Sequence, residues 1–181
     1  MRFLLIDGAA GPGPLDQVVT RVRERLFADG HPTEVFRLRE MDIRQCVGCW
    51  DCWVKSPGRC RLPDDQEGIL RRVLEVDCVV FAAPLVMGYP AALLKRCVER
   101  FIPLLHPYIT LLEGECHHRK RYANYPDLAL LLEREADTDD EDLDIVRDLF
   151  ARCALNFHGE LRTLNTTDQP IEEVCNALAR A

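Results

Sequence analysis

The sequence lacks any apolar run that approaches the ~20 residues needed to cross a bilayer as a helix, so we expect no membrane-spanning protein. Its first eleven residues hold one arginine and only a short apolar run, which predicts no signal peptide and a cytoplasmic protein. Basic residues are also in the minority, with 23 Lys and Arg against 30 Asp and Glu in 181 residues. This net charge of −7 argues against nucleic acid as the main partner.

Strand-like and helix-like segments alternate along the whole chain, without an internal repeat or a linker. Short apolar runs bounded by turn residues are typical of strands that a parallel sheet buries on both faces. The predicted strands cover 2–6, 33–38, 78–83, 128–132 and 160–164, and the predicted helices cover 15–28, 64–75, 91–102, 140–155 and 171–181. This alternation predicts one α/β domain over residues 1–181, with a doubly wound, five-stranded parallel sheet between two helical layers.

Nine cysteines are many for a cytosolic chain and direct attention to metal or redox chemistry. Four of them follow a C-x2-C-x2-C-x7-C spacing: Cys46, Cys49, Cys52 and Cys60. Gaps of two residues let successive thiolates turn toward one point, as tetrahedral sulfur ligation requires. An iron–sulfur cluster, a structural zinc, an exchanging thiol pair and simple burial all remain open for this segment, residues 45–63. Core packing explains the scattered Cys78, Cys97, Cys153 and Cys175.

Two loops lie where an open α/β sheet binds ligands, beyond the carboxyl ends of its strands. The loop Gly8–Pro14 runs into a helix, so its amides and the helix dipole could hold a phosphate, although it contains no Ser or Thr. The segment Ala83–Pro90 follows a buried strand, and its apolar and aromatic residues suit one face of a planar ring. Ordinary turn and loop packing is the alternative interpretation for both loops.

Two charged stretches have simple structural explanations. Residues 133–144 contain eight acids, which predicts a solvated loop leading into an acidic helix N-terminus. Residues 117–121 read HHRKR and form the only basic cluster. We interpret this cluster as an exposed loop or a contact between subunits, with a clamp for an anionic ligand group as the functional alternative.

The stretch Ala83–Lys95, with the following Glu99-Arg100-Phe101, resembles the flavin-side segment of flavodoxin-like NAD(P)H-dependent FMN reductases. The four clustered cysteines are similar to the compact cysteine motif of the iron–sulfur flavoprotein branch of that family. The resemblance covers residues 2–105 in sequence and the last third only in its pattern of strands and helices. It implies a flavodoxin-like fold, FMN, and a homodimer or homotetramer that completes the flavin site. It also implies electron transfer between NAD(P)H or another donor and a small-molecule or protein acceptor.

The resemblance also assigns site residues. The phosphate of FMN would bind at Ala9, Ala10, Gly11, Gly13 and Leu15, and its ring would lie beside Pro84, Leu85, Val86, Met87, Gly88 and Tyr89. The clustered cysteines would hold a [4Fe-4S] cluster that exchanges single electrons with FMN; in the variant without a cluster, Trp50 or Trp53 would contact the ligand. A flavin carries the redox chemistry itself, so we predict no catalytic side chain, in keeping with the absence of a Ser–His–Asp or paired-carboxylate signature.

The first loop departs from the family pattern, which usually has a Ser-rich phosphate loop. Residues 8–14 lack those hydroxyls, and two prolines remove two amides as well. Each hydrogen bond lost to a charged acceptor costs ~1.5–3 kcal/mol, which could weaken FMN binding by orders of magnitude. Two alternatives to an FMN-dependent oxidoreductase therefore remain. One is a non-catalytic binding module with structural zinc or free thiols, and the other is a thiol redox sensor that uses Cys49 and Cys52. The insertion at 104–126 suits a substrate lid or a subunit contact.

Overall fold

The computed structural model describes residues 1–180. The elements follow in the order β1 (Phe3–Asp7), α1 (Pro14–Ala28), β2 (Thr33–Arg37), α2 (Asp51–Val54), α3 (Gln66–Val73), β3 (Cys78–Val86), β4 (Tyr89–Pro90), α4 (Ala92–Val98), β5 (Leu105–Leu112), β6 (Glu115–Lys120), β7 (Asp127–Glu133), α5 (Asp140–Asn156), β8 (Leu161–Thr166) and α6 (Ile171–Ala179). Two short 3-10 helices lie at Leu38–Glu40 and Glu99–Leu104.

Five strands form one parallel sheet in the order β2–β1–β3–β7–β8, and the two-residue β4 pairs antiparallel with the end of β3. The predicted five-stranded parallel sheet is therefore confirmed. This order is that of flavodoxin-like doubly wound sheets, in which the direction of winding reverses between β1 and β3. The reversal places the carboxyl ends of β1 and β3 side by side, at the edge where such sheets bind ligands.

Helices cover both faces of the sheet and complete the three predicted layers. All five residues of β1 are buried, because successive side chains point to opposite faces and both faces are covered. Leu5 packs in the core beneath α1 and α6, whereas Leu4 packs in the core beneath α3, α4 and α5. The continuous apolar run that predicted this strand reflects burial on both sides.

The predicted helix 91–102 differs from the observed structure. Helix α4 ends at Val98 and continues as the 3-10 helix Glu99–Leu104, within which Arg100 leaves helical backbone angles (φ −95°, ψ 18°). Pro103 contributes to this change, because its ring removes a hydrogen-bond donor and restricts the preceding residue. The closing helix predicted for 171–181 ends at Ala179, and Ala181 lies outside the described residues.

The insertion at 104–126 forms a structure that its sequence pattern did not predict. Strands β5 and β6 pair as an antiparallel hairpin, turned by Glu113 and Gly114, both of which have positive φ. The hairpin contacts the C-terminal end of α5 through the amide of His118, which donates to Asn156 Oδ1 at 3.0 Å. Within residues 1–180, no helix is both long and apolar enough to cross a membrane.

Candidate functional site

The fold brings the loops after β1, β3 and β7 to one edge of the sheet. Asp7 pairs with Ala82 in the parallel register, and Pro84 pairs with Glu133. The amide of Gly8 donates to the Ala82 carbonyl at 2.8 Å, which ties the first loop to β3. A side chain at Gly8 would meet Leu94 of α4 at 2.7 Å, so only glycine permits this approach. The predicted phosphate-side and ring-side segments therefore lie next to each other.

A buried carboxylate lies beneath the β1–α1 loop, which comprises residues 8–13. Asp7 is fully buried, and its Oδ1 accepts a 2.9 Å hydrogen bond from the amide of Ala9, while Arg39 Nη1 lies 2.9 Å from its Oδ2. Burial raises the pKa of Asp7 above its ordinary value, against the opposing effect of these two hydrogen bonds. The amide of Ala9, predicted to face a phosphate, is thus already occupied within the chain.

A second carboxylate occupies the first turn of α1. Asp16 Oδ1 lies 2.9 Å from Arg37 Nε and 2.8 Å from Arg39 Nη2. These two hydrogen bonds, the one from Arg37 foremost, hold the pKa of Asp16 below its ordinary value. Sequence reasoning missed Arg37 and Arg39, which stand at the end of β2 and look like ordinary surface charges. Two acids and two arginines therefore neutralise one another around the loop.

Backbone amides remain free at this loop. The amides of Ala10, Gly11, Gly13 and Leu15 make no hydrogen bond within the described part of the chain. Gly13 precedes Pro14 at the start of α1, and no side chain caps that helix. A phosphate would fit here through amides and the positive helix end, with Asp16 as an unfavourable neighbour.

The ring-side segment forms a tight turn between β3 and β4. Met87 and Gly88 both have positive φ, at 54° and 72°, as the two central residues of a type I′ turn do. The side chain of Met87 is 93% exposed and Val86 is 51% exposed, whereas Leu85 is buried in the core. Pro84 and Tyr89 are half-buried on either side. An open apolar surface of this kind fits one face of a planar ring.

Acidic groups border this turn on the side of β7 and α5. The amide of Gly88 lies 3.4 Å from Glu135 Oε2, and a side chain at Gly88 would meet Asp142 Oδ1 at 3.2 Å. Asp142 also forms a capping box with Asp139, which starts α5 as the acidic stretch predicted. These acids make the third loop of the edge negative. Sequence analysis identified their stretch but not its contact with the turn.

The four clustered cysteines converge on one small cavity of about 40 Å³, which Arg61, Arg100, Ile102 and Pro103 also line. All four thiols are free. The pKa of Cys52 is raised to about 11, mainly by burial and in smaller part by the neighbouring Cys60, Cys49 and Cys46, because thiolates so close together repel. Within residues 1–180, no three or more His, Cys, Asp or Glu side chains form a ready-made metal geometry. The four predicted ligands therefore line one cavity, but their side chains are not arranged around a single metal position.

The backbone of the cysteine segment turns sharply at three positions. Gly48, Trp50 and Gly58 have φ of 63°, 61° and 84°. Glycine adopts these values freely, whereas Trp50 adopts them at a cost. The left-handed Trp50 starts the four-residue helix α2 (Asp51–Val54), which the sequence pattern did not indicate.

Trp53 fixes this segment to the remainder of the molecule. Its Nε1 donates to the carbonyls of Ile102 and Leu105 at 3.1 and 3.0 Å. Its ring stacks on Trp50 at 5.0 Å between centroids and lies 5.0 Å from the ring of His118 on β6. The indole therefore anchors the cysteine segment against the 3-10 helix and the hairpin.

A buried ion pair adjoins the cavity and was missed by sequence reasoning. Asp64 accepts two hydrogen bonds from Arg100, and Arg100 Nη2 lies 3.2 Å from Cys60 Sγ. Burial opposes ionisation of Asp64, but the hydrogen bonds from Arg100 and from the Arg44 amide outweigh it and lower its pKa. In the sequence, Asp64 marked only the start of the predicted helix 64–75, and Arg100 only the end of the stretch that resembles the family.

The remaining cysteines lie apart from this cavity. Cys78, Cys97 and Cys175 are buried, and Cys153 is half-buried. Burial raises the pKa of Cys78 and Cys97 to about 12, as expected for thiols in the core. Cys116 is exposed on the hairpin.

The basic cluster 117–121 lies on the hairpin and contacts the cysteine segment and α5 rather than the β1–α1 loop. His158 Nε2 lies 2.7 Å from the carbonyl of His118, and Arg121 donates to the carbonyl of Leu105 at 3.0 Å. A side chain at Gly58 would meet Tyr122 and Arg121. The cluster therefore does not compensate for the missing hydroxyls of the phosphate loop.

The cysteine cavity and the sheet edge formed by the loops after β1, β3 and β7, here called the ligand edge, lie at opposite ends of α4. Leu94, near the start of the helix, touches Gly8, whereas the residues just after its end line the cavity. A seven-residue helix spans ~10 Å. The two candidate redox regions of one chain are thus separated by about the length of this helix.

Comparison with known proteins agrees with this geometry. Residues 1–120 match the family described as NADPH-dependent FMN reductase. An iron–sulfur flavoprotein of Methanocaldococcus jannaschii is 33% identical over 107 residues, which are 58% of this chain and 53% of that protein. An iron–sulfur flavoprotein of Archaeoglobus fulgidus is 26% identical over 100 residues, 55% of this chain and 48% of that protein. The chain spans about half the length of these two curated relatives.

Solved structures show the same fold at low sequence identity. An FMN-dependent NADH-azoreductase from Bacillus anthracis superposes with a TM-score of 0.67 at 13% identity, covering 99% of each chain. An NAD(P)H:quinone oxidoreductase from Methanothermobacter marburgensis superposes with a TM-score of 0.65 at 17% identity, covering 98% of this chain and 92% of that one. At these identities the likeness concerns the flavodoxin-like fold alone.

Proposed function

Since the chain belongs to the NADPH-dependent FMN reductase family, whose members are oxidoreductases, we propose that it transfers electrons between NAD(P)H and a small-molecule or protein acceptor through FMN and a four-cysteine iron–sulfur cluster. The observation that carries the cluster is the convergence of Cys46, Cys49, Cys52 and Cys60 on one cavity. Four cysteine sulfurs are the ligand set that [4Fe-4S] clusters take. The two relatives from M. jannaschii and A. fulgidus are iron–sulfur flavoproteins, which agrees with this assignment.

FMN would lie across the ligand edge of the sheet and supply the hydride and single-electron chemistry. The free amides of Ala10, Gly11, Gly13 and Leu15 bind its phosphate, and the helix end of α1 adds its positive dipole. The β3–β4 turn supports one face of the ring through Val86 and Met87. The network of Asp7, Asp16, Arg37 and Arg39 pairs two acids with two arginines, which keeps the loop rigid and leaves no net charge beneath it.

The cysteine segment binds its cluster against the end of α4. Trp53 fixes the segment to the 3-10 helix, and the left-handed Gly48 and Gly58 let the chain fold around the cavity. The apolar wall of Ile102 and Pro103 keeps water from one side of it. Structural zinc also takes four cysteines, and is the outcome that would replace the cluster.

Two further parts of the proposal concern the assembly and the compartment. The hairpin exposes Tyr108, Ile109 and Leu111, and α5 exposes Ile145 and Leu149, which supports a homodimer or homotetramer as the working form. Nine unpaired thiols suit a reducing compartment, which supports the cytoplasm. Light scattering on the purified protein measures the first of these directly.

The deciding experiment is anaerobic purification followed by an absorption spectrum and assays for flavin, iron, zinc and acid-labile sulfide. We expect flavin bands together with iron and sulfide in equal amounts. Replacing Cys49 by Ser removes one of four ligands, so iron content is expected to fall at least tenfold. Cys116→Ser is the matched control, because Cys116 is exposed on the hairpin outside the cavity, and it should keep full iron content. A colourless protein that contains zinc would refute the cluster.

A further inference from the structure

The guanidinium of Arg100 is buried beside the four-thiol cavity. Its side chain is 1% exposed and that of its partner Asp64 is fully buried. Nη2 is shared between Asp64 Oδ1 at 2.9 Å and Cys60 Sγ at 3.2 Å, and Nη1 reaches the carbonyl of Arg44 at 3.0 Å in addition to Asp64. Nε is buried without an acceptor within residues 1–180. The positive end of a buried, net-neutral ion pair therefore stands at hydrogen-bond distance from a predicted ligand sulfur.

Asp64 holds this charge in place. It accepts hydrogen bonds from the amides of Arg44 at 2.9 Å and Gln66 at 3.3 Å in addition to those from Arg100. These backbone hydrogen bonds orient the carboxylate of Asp64. The two parallel hydrogen bonds between the carboxylate and the guanidinium then fix the orientation of Arg100. Arg100 leaves helical backbone angles at the same position. The ion pair and the local backbone together aim one N–H at Cys60.

We propose that Arg100 is a positioning residue that binds Cys60 and raises the reduction potential of the site formed by the four clustered cysteines. The inference rests on the proposed iron–sulfur cluster. One-electron reduction adds a negative charge to a site that already contains four thiolates. The positive end of the ion pair lies nearer the sulfur than its negative end, and together with the N–H···S hydrogen bond it stabilises the reduced form more than the oxidised form.

Arg61 provides a matched comparison at the same cavity. It also lines the cavity, but its side chain is 58% exposed and it lies 3.8 Å from Asp51. Solvent and mobile ions screen a charge of this kind, so its effect on the potential should be small. Comparing the effects of the two arginines on the reduction potential therefore distinguishes a buried arginine that donates to a cysteine from any positive charge near the cavity.

The test is a potentiometric titration of the anaerobic protein, with iron and sulfide content measured on every sample. Asp64→Asn combined with Arg100→Gln removes the pair without leaving one charge buried alone. We expect this variant to keep its iron and to lower the equilibrium constant for one-electron reduction at least tenfold, which corresponds to 59 mV. Arg100→Lys keeps the positive charge but loses the planar fork. Its equilibrium constant for one-electron reduction should therefore also fall, by a smaller factor than in the double variant. Arg61→Gln should stay within twofold of the wild type.

The outcomes separate this inference from the proposed function. A wild-type protein without iron overturns both. Full iron content with an unchanged potential in the double variant overturns the role of Arg100 and leaves the cluster standing. If the double variant loses its iron, the reduction potential of Arg100→Lys is the deciding measurement: an unchanged potential with full iron content overturns the role of Arg100. If Arg61→Gln shifted the reduction potential as much as the double variant, any positive charge near the cavity would have the same effect, and the proposal would also be overturned.

Discussion

Two Asp–Arg pairs with a buried carboxylate stand beside the predicted phosphate loop and the cysteine cavity, and they differ in how the carboxylate is hydrogen-bonded. Asp7, under the β1–α1 loop, receives one amide and one contact from Arg39. Asp64, beside the cysteine cavity, receives two amides and both terminal nitrogens of Arg100. Both carboxylates are fully buried, yet the pKa of Asp7 is raised and that of Asp64 is lowered.

The comparison shows that, between two buried acids, the number of hydrogen-bond donors decides the direction in which the pKa is shifted. Desolvation penalises both carboxylates, and only the one with enough hydrogen bonds overcomes it. The spare N–H of each arginine then has a different use. Arg39 Nη2 is directed at a second carboxylate, Asp16, whereas Arg100 Nη2 is directed at a sulfur. One region is neutralised internally, and the other directs a positive charge toward its ligand site.

The largest expected difference between the two regions is in stability. Asp64→Asn leaves the Arg100 guanidinium buried without its partner, so we expect a loss of about 3–5 kcal/mol in the free energy of unfolding. Asp7→Asn should cost less than about 1.5 kcal/mol, because Arg39 keeps Asp16 and the amide of Asn can still accept from Ala9. Denaturant titration of both variants measures the two values. Equal losses would contradict the comparison.

The second expected effect concerns the affinity of the phosphate loop. Asp16→Asn removes a negative charge from the first turn of α1 and leaves Arg37 and Arg39 without that partner. We expect FMN to bind about tenfold more tightly, which corresponds to 1.4 kcal/mol. Riboflavin has no phosphate and serves as the control, with its affinity unchanged.

Fluorescence titration of the flavin-free protein gives both dissociation constants. If FMN and riboflavin gained equally, the effect would come from the ring side or from loop rigidity. The internal neutralisation of the β1–α1 loop would then have no bearing on the phosphate.

The smallest expected effect is the pH dependence of stability. The raised pKa of Asp7 means that its contribution is present below the ordinary value of 3.8 and is lost as pH rises through the folded pKa. The lowered pKa of Asp64 has the opposite sign: its contribution is present above 3.8 and is lost as pH falls through the folded pKa. Unfolding free energies of the wild type and the two Asn variants between pH 2.5 and pH 6 should give difference curves of opposite slope. Parallel curves would show that the two carboxylates behave alike.

Most of the fold could be predicted from the sequence, because each element carries its own signal. The buried run of β1 and the run of β3 marked strands buried on two faces, and helical spacing marked α1 and α5. The prediction was weaker where local pattern and tertiary packing disagree. The helix predicted through Ile102 ends at Val98, and the hairpin β5–β6 occupies a segment left without an element.

The candidate site was predictable to a similar extent. The cysteine spacing located the ligand-rich segment, and the cysteines do share one cavity. The β1–α1 loop remains a predicted phosphate-binding loop, proposed from its amides and the helix that follows, and its lack of hydroxyls was visible in the sequence. The ion pairs beside both sites were not predictable. Arg39 has no local pattern that distinguishes it from a surface arginine, and Arg100 stood out only in the family resemblance, without its partners Asp64 and Cys60.

The sequence by itself determined the alternation of strands and helices, the shortage of hydroxyls after β1 and the spacing of the four cysteines. These properties depend on residues a few positions apart, where backbone geometry alone limits what can meet. Only the tertiary structure decided that Arg39 reaches Asp7 and Asp16, and that Arg100, 36 positions from Asp64, reaches both that acid and Cys60. Such pairings depend on how distant helices and loops pack on the sheet, and packing follows from the total burial of apolar surface rather than from any local spacing.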